Sequence, residues 1–204
     1  MNVICSDMEG VFTPEIWIKV AEKTGIDELR ITTRDEPDYD KLMRYRIDIL
    51  DKKGLKLKDI QDVISEMEPL QGAKEFLDWM RRKAPVIIVS DTFEQFAAPL
   101  MEKLGLPTLF CNTLEVEDGK IVGYKLRQPD QKRHVVEALQ QLHYGVIAMG
   151  DSYNDVSMIK KAENGAFFKP PERVIEEFPE FPVAQDYEKM KDIVRYFLGS
   201  GYHL

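Results

Sequence analysis

Three short apolar runs, residues 3–6, 86–89 and 146–149, each stop at a polar cluster: Asp7, then Ser90-Asp91-Thr92, then Gly150-Asp151-Ser152-Tyr153-Asn154-Asp155. Short apolar runs separated by helical periodicity are the pattern of parallel strands buried on both faces. Right-handed crossovers bring the C-terminal ends of such strands to one edge of the sheet, and ligands bind along that edge. The chain is therefore expected to form a three-layer α/β fold. If the three runs are neighbours, several carboxylates and a serine hydroxyl meet in one place.

The remaining segments complete the alternation. Ile16, Val20 and Ala21 recur at helical spacing up to Gly25, a C-terminal stop. Two more helices are expected over 39–51, ending near Gly54, and over 57–67, ending before Pro69, so residues 13–68 read as wholly helical. Helices at 72–82, 93–104, 131–142 and 155–162 then alternate with strands at 85–89, 108–111, 145–149 and 166–168. Residues 114–124 alternate around Asp118-Gly119, a tight-turn dipeptide, which predicts a small antiparallel flap. A last strand and helix are expected over 182–204.

With 204 residues the chain can bury one core and carry a small accessory lobe. The expected division is a catalytic core of residues 1–12 and 69–204, interrupted by a helical insertion over 13–68. A net charge of -8 with scattered basic residues argues against nucleic acid or an anionic membrane as partner. Cys5 and Cys111 both fall in predicted strands, as buried reduced thiols do, and no basic and apolar leader opens the sequence. No apolar run approaches the roughly 20 residues that span a bilayer. The cytoplasm is the expected compartment; oligomeric state is left open.

Asp7 at a strand end, with Glu9 two residues on and then Gly10, suggests phosphoryl chemistry. One carboxylate attacks phosphorus while the second trades protons with the leaving group. Each polar cluster alone has a plainer reading, because Asp and Ser commonly start turns or cap helices. Together they supply what transfer to a carboxylate needs. Like charges about 4 Å apart repel by roughly 4 kcal/mol at an effective dielectric of about 20, so a phosphate can approach Asp7 only beside cations. Asp7 and Asp151, completed by the Glu9 carbonyl, form an all-oxygen set suited to Mg²⁺. The Ser90 hydroxyl, with backbone N–H groups of the following helix, can hold phosphate oxygens. A lysine should add the last positive charge, with Lys132 favoured over Arg133 and Lys125 by its place at the start of a helix.

The sequence Asp7-x-Glu9-Gly-Val, Ser90-Asp91-Thr92, Lys132 and the run from Gly150 to Asp155 resembles, in order and over most of the chain, the four motifs of the haloacid dehalogenase superfamily. Within it the chain is most similar to the phosphoserine phosphatases, and especially to the bifunctional phosphoserine phosphatase/homoserine phosphotransferases. Pro14-Glu15-Ile16-Trp17 and Ala21-Glu22-Lys23-Thr24-Gly25 point to that group. The resemblance implies a Rossmann-like core, a helical cap over residues 13–68, Mg²⁺, and a phospho-aspartate at Asp7. It places Asp91 beside Ser90 and Lys132 at the phosphate, and Thr92 and Asp155 behind the ligands. The usual phosphatase pattern has aspartate where this chain has Glu9; the phosphotransferase group resembles this chain in having glutamate.

Substrate recognition is expected from the insertion. On the helix from Tyr39, residues Tyr39, Met43, Arg46, Ile47 and Leu50 share one face and Arg44 points away, so Arg46 is the inward arginine. The resemblance makes it the partner of a substrate carboxylate, Glu15 the partner of the ammonium, and Asn154 a contact to substrate or phosphate. A snorkelling arginine and a favourable charge at a helix N-terminus are the plainer roles of Arg46 and Glu15. His134 and His143 lack a nearby cysteine pair and do not suggest zinc. Trp17 and Phe167-Phe168 are explained by apolar packing. The other readings are a phosphatase of a different small metabolite and a receiver-like signalling module; the latter is disfavoured by the position of Asp7 after the first strand.

Overall fold

The computed structural model describes residues 1–32, 35–36 and 38–199. Among them, seven strands form one sheet in the order β4-β3-β2-β1-β5-β6-β7. These are β1 (Asn2–Ser6), β2 (Val86–Phe93), β3 (Thr108–Glu117), β4 (Lys120–Lys125), β5 (Gly145–Gly150), β6 (Asn164–Phe168) and β7 (Val183–Ala184). All pairings are parallel except β3 with β4. β1, the first strand, lies between β2 and β5, so the three polar clusters are on adjacent strands.

Side chains alternate across the sheet with period two, and each face is dry. Ile4, Ile88, Ile147 and Phe168 face one core with α4 (Ala73–Arg81), α5 (Glu94–Lys103) and α9 (Tyr187–Gly199). Cys5, Val89, Ala148 and Phe167 face the other, with α6 (Gln131–Gln141), α7 (Val156–Lys161) and α8 (Glu172–Glu177). Fully burying each such aliphatic or aromatic side chain stabilises the fold by about 1.5–3 kcal/mol. Both cysteines are buried free thiols. No helix among the described residues is long and apolar enough to cross a membrane.

Between β1 and β2 run α1 (Ile16–Thr24), a 3₁₀ turn (Asp27–Arg30), α2 (Tyr39–Lys53), α3 (Leu57–Ser65) and α4. Gly25 and Gly54 end α1 and α2 in the left-handed conformation, at φ 68° and 69°, as their positions predict. The segment 13–68 is less completely helical than expected: a 3₁₀ turn follows α1, and residues 31, 32, 35, 36 and 38 before α2 are not helical. The hairpin turns at Asp118-Gly119, where both residues have positive φ, 50° and 80°.

Four details differ from the periodicity. β2 continues through Ser90-Asp91-Thr92, and its register against β3 shifts between Val89 and Phe93. β3 is one ten-residue strand running from the sheet into the flap, not two separate strands. The helix expected over 155–162 begins as a 3₁₀ turn, Tyr153–Asp155, before α7. α8 has no counterpart among the expected elements, and residues 200–204 of the expected last helix lie outside the described residues.

Candidate active site

Asp7 follows β1 and its N–H still donates to Met149 O of β5, 2.9 Å, which fixes it beside the loop that carries Asp151. Its Oδ1 accepts from Met8 N–H at 2.7 Å and lies 2.9 Å from Lys132 Nζ. Gly10 then turns the chain at φ 77°, a conformation that favours glycine, and a Cβ there would overlap the Asp151 carboxylate. Asp7, Asp151 and Asp155 each present an oxygen within 4.8 Å of the others. This all-oxygen donor set, shaped by a glycine that lets backbone press against a carboxylate, fits a hard divalent cation.

Lys132, at the start of α6, reaches the same place. It is 2% exposed, and its Nζ lies 2.7 Å from Asp155 Oδ1, 2.9 Å from Asp7 and 3.7 Å from Asp91. Burial alone would lower its pKa, but Asp155, Asp7 and Asp91 outweigh that and hold the ammonium well above its ordinary value. Asp7 is pushed well above the carboxylate range by burial first and then by Asp155, against the pull of Lys132. Asp155 uses its other oxygen to accept from Asp151 N–H and Ser152 N–H, at 2.9 and 3.1 Å. It thereby holds both the lysine and the Asp151 loop. Arg133 pairs with Asp130 and Glu137, and Lys125 with Glu115, both away from this cluster.

The irregular end of β2 brings in the second cluster. Ser90 Oγ accepts from Thr92 N–H at 3.2 Å, which leaves the hydroxyl proton available to a ligand. Asp91 receives Asn154 Nδ2 at 3.1 Å and Gln131 Nε2 at 3.2 Å, so the β2 and β5 loops and α6 are tied through it. Asp7, Ser90, Asp91, Thr92, Lys132, Asp151 and Asn154 line one cavity.

Glu9 also lines that cavity. Its Oε2 accepts from Ile16 N–H, 2.8 Å, and so satisfies a free donor at the start of α1, where Glu15 makes no capping bond of its own. The carboxyl is pushed up to about 8, by burial first and by the neighbouring Glu15 carboxylate second, while Ile16 N–H and Arg46 pull it down. Arg46 is buried, donates from Nη2 to Ile31 O at 2.7 Å, and keeps a buried Nε with no partner. Burial lowers it to about 10, so it stays charged near neutrality. Glu9, Glu15 and Arg46 line the same cavity as Asp7.

Every candidate from the motifs except Asp155, which stands behind Lys132 and Asp151, therefore borders one cavity. Three further groups border the site without having been assigned a role in it from the sequence. Tyr39 donates to Asp91 O at 3.1 Å, Gln131 donates to Ser90 O at 2.8 Å, and the Trp17 ring lies 4.6 Å from the Arg46 guanidinium. Tyr39 and Gln131 are visible as polar groups next to α2 and α6 candidates; Trp17 stands in the Pro14–Trp17 run but reads as apolar packing.

Comparison with known proteins agrees with this geometry. Residues 1–163 match the haloacid dehalogenase-like hydrolase family. The chain is 56% identical over 192 residues to phosphoserine phosphatase ThrH of Pseudomonas aeruginosa, covering 94% of each. It is 53% identical to a phosphoserine phosphatase of Pseudomonas syringae pv. tomato, covering 94% of this chain and 81% of that one. In fold it is similar to a crystal structure of phosphoserine phosphatase in apo form, with a TM-score of 0.75, 23% identity, and 96% and 98% of the two chains covered. A structure described as a phospho-aspartyl intermediate analogue of phosphoserine phosphatase gives a TM-score of 0.75 at 23% identity, covering 95% of this chain and 97% of the other. With a matching model over most of its length and close relatives over nearly all of it, this chain belongs to the haloacid dehalogenase-like hydrolase family.

Proposed function

We propose that this protein hydrolyses phosphoserine through a phospho-aspartate on Asp7, with Mg²⁺ as its resident ion, and that it also passes the phosphoryl group to an alcohol such as homoserine. The observation that carries the reading is the crowding of Asp7, Asp91 and Asp155 around the buried ammonium of Lys132, with Asp151 in the same cluster. With burial and Asp155 favouring the neutral acid at Asp7, ionising it as the attacking group beside a phosphate ester calls for positive charge beyond the one lysine. Mg²⁺ held by Asp7, Asp151 and the Glu9 carbonyl would supply that charge and polarise a phosphoryl oxygen. Asp155, whose two oxygens are already engaged, supports these groups from behind, as Thr92 supports Ser90.

Asp7 Oδ1 is held by Met8 N–H and Lys132, which leaves its second oxygen to attack phosphorus in line. As that bond forms and the ester P–O bond breaks, Glu9, neutral near pH 7, donates its proton to the departing serine oxygen. Glu9, now a carboxylate, takes a proton from water, whose oxygen attacks phosphorus and frees Asp7. Ser90 and Lys132 steady the phosphoryl oxygens, with Asp91 and Asn154 bridging the loops beside them. Arg46 and Glu15 read the carboxylate and ammonium of serine, and residues 13–68 act as a cap that opens to admit substrate and closes to exclude bulk water. The two Pseudomonas phosphoserine phosphatases support this choice of substrate.

The bond from Glu9 to Ile16 N–H supports a second acceptor. Glutamate is one methylene longer than aspartate, and its bond to α1 fixes the carboxylate in a different place, which would let an alcohol compete with water. The test is a phosphoserine assay with Mg²⁺, with and without homoserine, following free phosphate and phosphohomoserine. Asp7→Asn should lose both products, and Glu9→Asp should shift the ratio toward phosphate; an unchanged ratio contradicts the role given to Glu9.

A further inference from the structure

Arg46 is fixed in an unusual way for a buried arginine. Its guanidinium carbon lies 4.6 Å from the centroid of the Trp17 ring, Nη2 donates to Ile31 O at 2.7 Å, and Nη1 has only a 3.8 Å contact with Met43 Sδ. Nε has no partner, although the residue is 6% exposed. One face and one corner of the fork are therefore held, and donors remain for an anion in the cavity that Arg46 and Trp17 both line.

Trp17 is itself held from the other side of the site. Its ring meets Phe96 of α5 edge-on, 5.5 Å and 74°, and Phe96 meets Phe93 edge-on, 5.8 Å and 87°. Phe93 is the last residue of β2, directly after Ser90-Asp91-Thr92. An aromatic chain thus links the arginine of the inserted helices to the strand end that carries the phosphate side of the cavity.

We infer that Trp17 is a positioning residue: through Phe96 and Phe93 it sets the Arg46 guanidinium at a fixed distance from the phosphoryl end, and so makes the enzyme select phosphate esters that carry a carboxylate at the serine spacing. The inference rests on the phosphoserine reading above. If Trp17 were only packing, its loss would weaken the action on every ester alike.

The experiment compares phosphoserine with phosphoethanolamine, which lacks the carboxylate, in wild type, Trp17→Leu, Trp17→Phe, Arg46→Ala and the Trp17→Leu/Arg46→Ala double variant, all with Mg²⁺. Loss of a desolvated cation–π contact corresponds to roughly tenfold or more in binding. Trp17→Leu should therefore raise KM for phosphoserine about tenfold with kcat within about threefold, and leave kcat/KM for phosphoethanolamine within about twofold. Trp17→Phe, which keeps a flat π face, should recover most of the loss, and Trp17→Leu should add little once Arg46 is gone. Equal losses on both esters, or full additivity with Arg46→Ala, would overturn the inference. If melting curves show Trp17→Leu to be unfolded, Trp17→Phe decides alone, with about a threefold KM rise for phosphoserine only; no rise, or the same rise on both esters, overturns the role. A wild-type enzyme that treats the two esters equally would remove the phosphoserine reading itself, and this inference with it.

Discussion

At Lys132 one ammonium is shared by Asp155, Asp7 and Asp91 at 2.7, 2.9 and 3.7 Å, with 2% of the side chain exposed. Removing one partner of a buried charge cluster leaves the others uncompensated, so Lys132→Met should cost about 3–5 kcal/mol in urea unfolding and abolish turnover. The same change at exposed Lys125 should stay within about 0.5 kcal/mol. Glu9 gives a pH prediction. Its folded pKa, about 8, lies above its ordinary value of 4.5, so the fold favours the neutral acid. The unfolded chain then binds fewer protons than the folded one between these values, and this contribution to stability, complete below pH 4.5, is lost as pH rises through about 8. Glu9→Gln should accordingly raise the melting temperature of the metal-free protein at pH 8 and change it little at pH 4. If Glu9 is the proton donor proposed above, phosphoenzyme formation should fall in wild type as pH passes about 8. A flat profile would remove Glu9 as the proton donor.

The elements that carry these residues show what a sequence discloses. β1, β2 and β5 were legible because short apolar runs ended in polar clusters, and Arg46 was legible because helical spacing put it on the buried face of α2. The extension of β2 through Ser90-Asp91-Thr92 was not, because an irregular register exists only once β3 lies alongside. The place of Trp17 was hidden for a related reason: its partners, Arg46 and Phe96, come from distant helices, and periodicity alone describes it as core. Lys132 is already favoured over Lys125 and Arg133 by its place at the start of α6; its approach to Asp155 and Asp7 emerges only with α6 packed beside β5. Gly10 tests the loop after β1. Gly10→Ala must accept φ 77° and a Cβ that overlaps the Asp151 carboxylate, so it should destabilise by about 1 kcal/mol or more and weaken Mg²⁺ binding at least tenfold. Isothermal titration of Mg²⁺ checks this, and wild-type affinity in the variant would contradict it.

In the whole molecule the sheet edge gathers charge that the fold alone does not balance. A cation that binds only the folded state stabilises it, by about 2.7 kcal/mol at a hundredfold excess over the dissociation constant. Mg²⁺ should therefore raise the melting temperature of the wild-type protein by roughly 5–10 °C, and should not do so for Asp151→Asn. A chelator should remove both the shift and the turnover. The most direct test of the account is to mix enzyme, Mg²⁺ and phosphoserine, quench in acid within the first turnover, and map the phosphoryl group by peptide mass spectrometry. Attack by Asp7 predicts one acid-stable, base-labile phosphoryl group on Asp7, absent in Asp7→Asn. Turnover with the label on Asp91 or Asp151, or with no labelled residue at all, would contradict it.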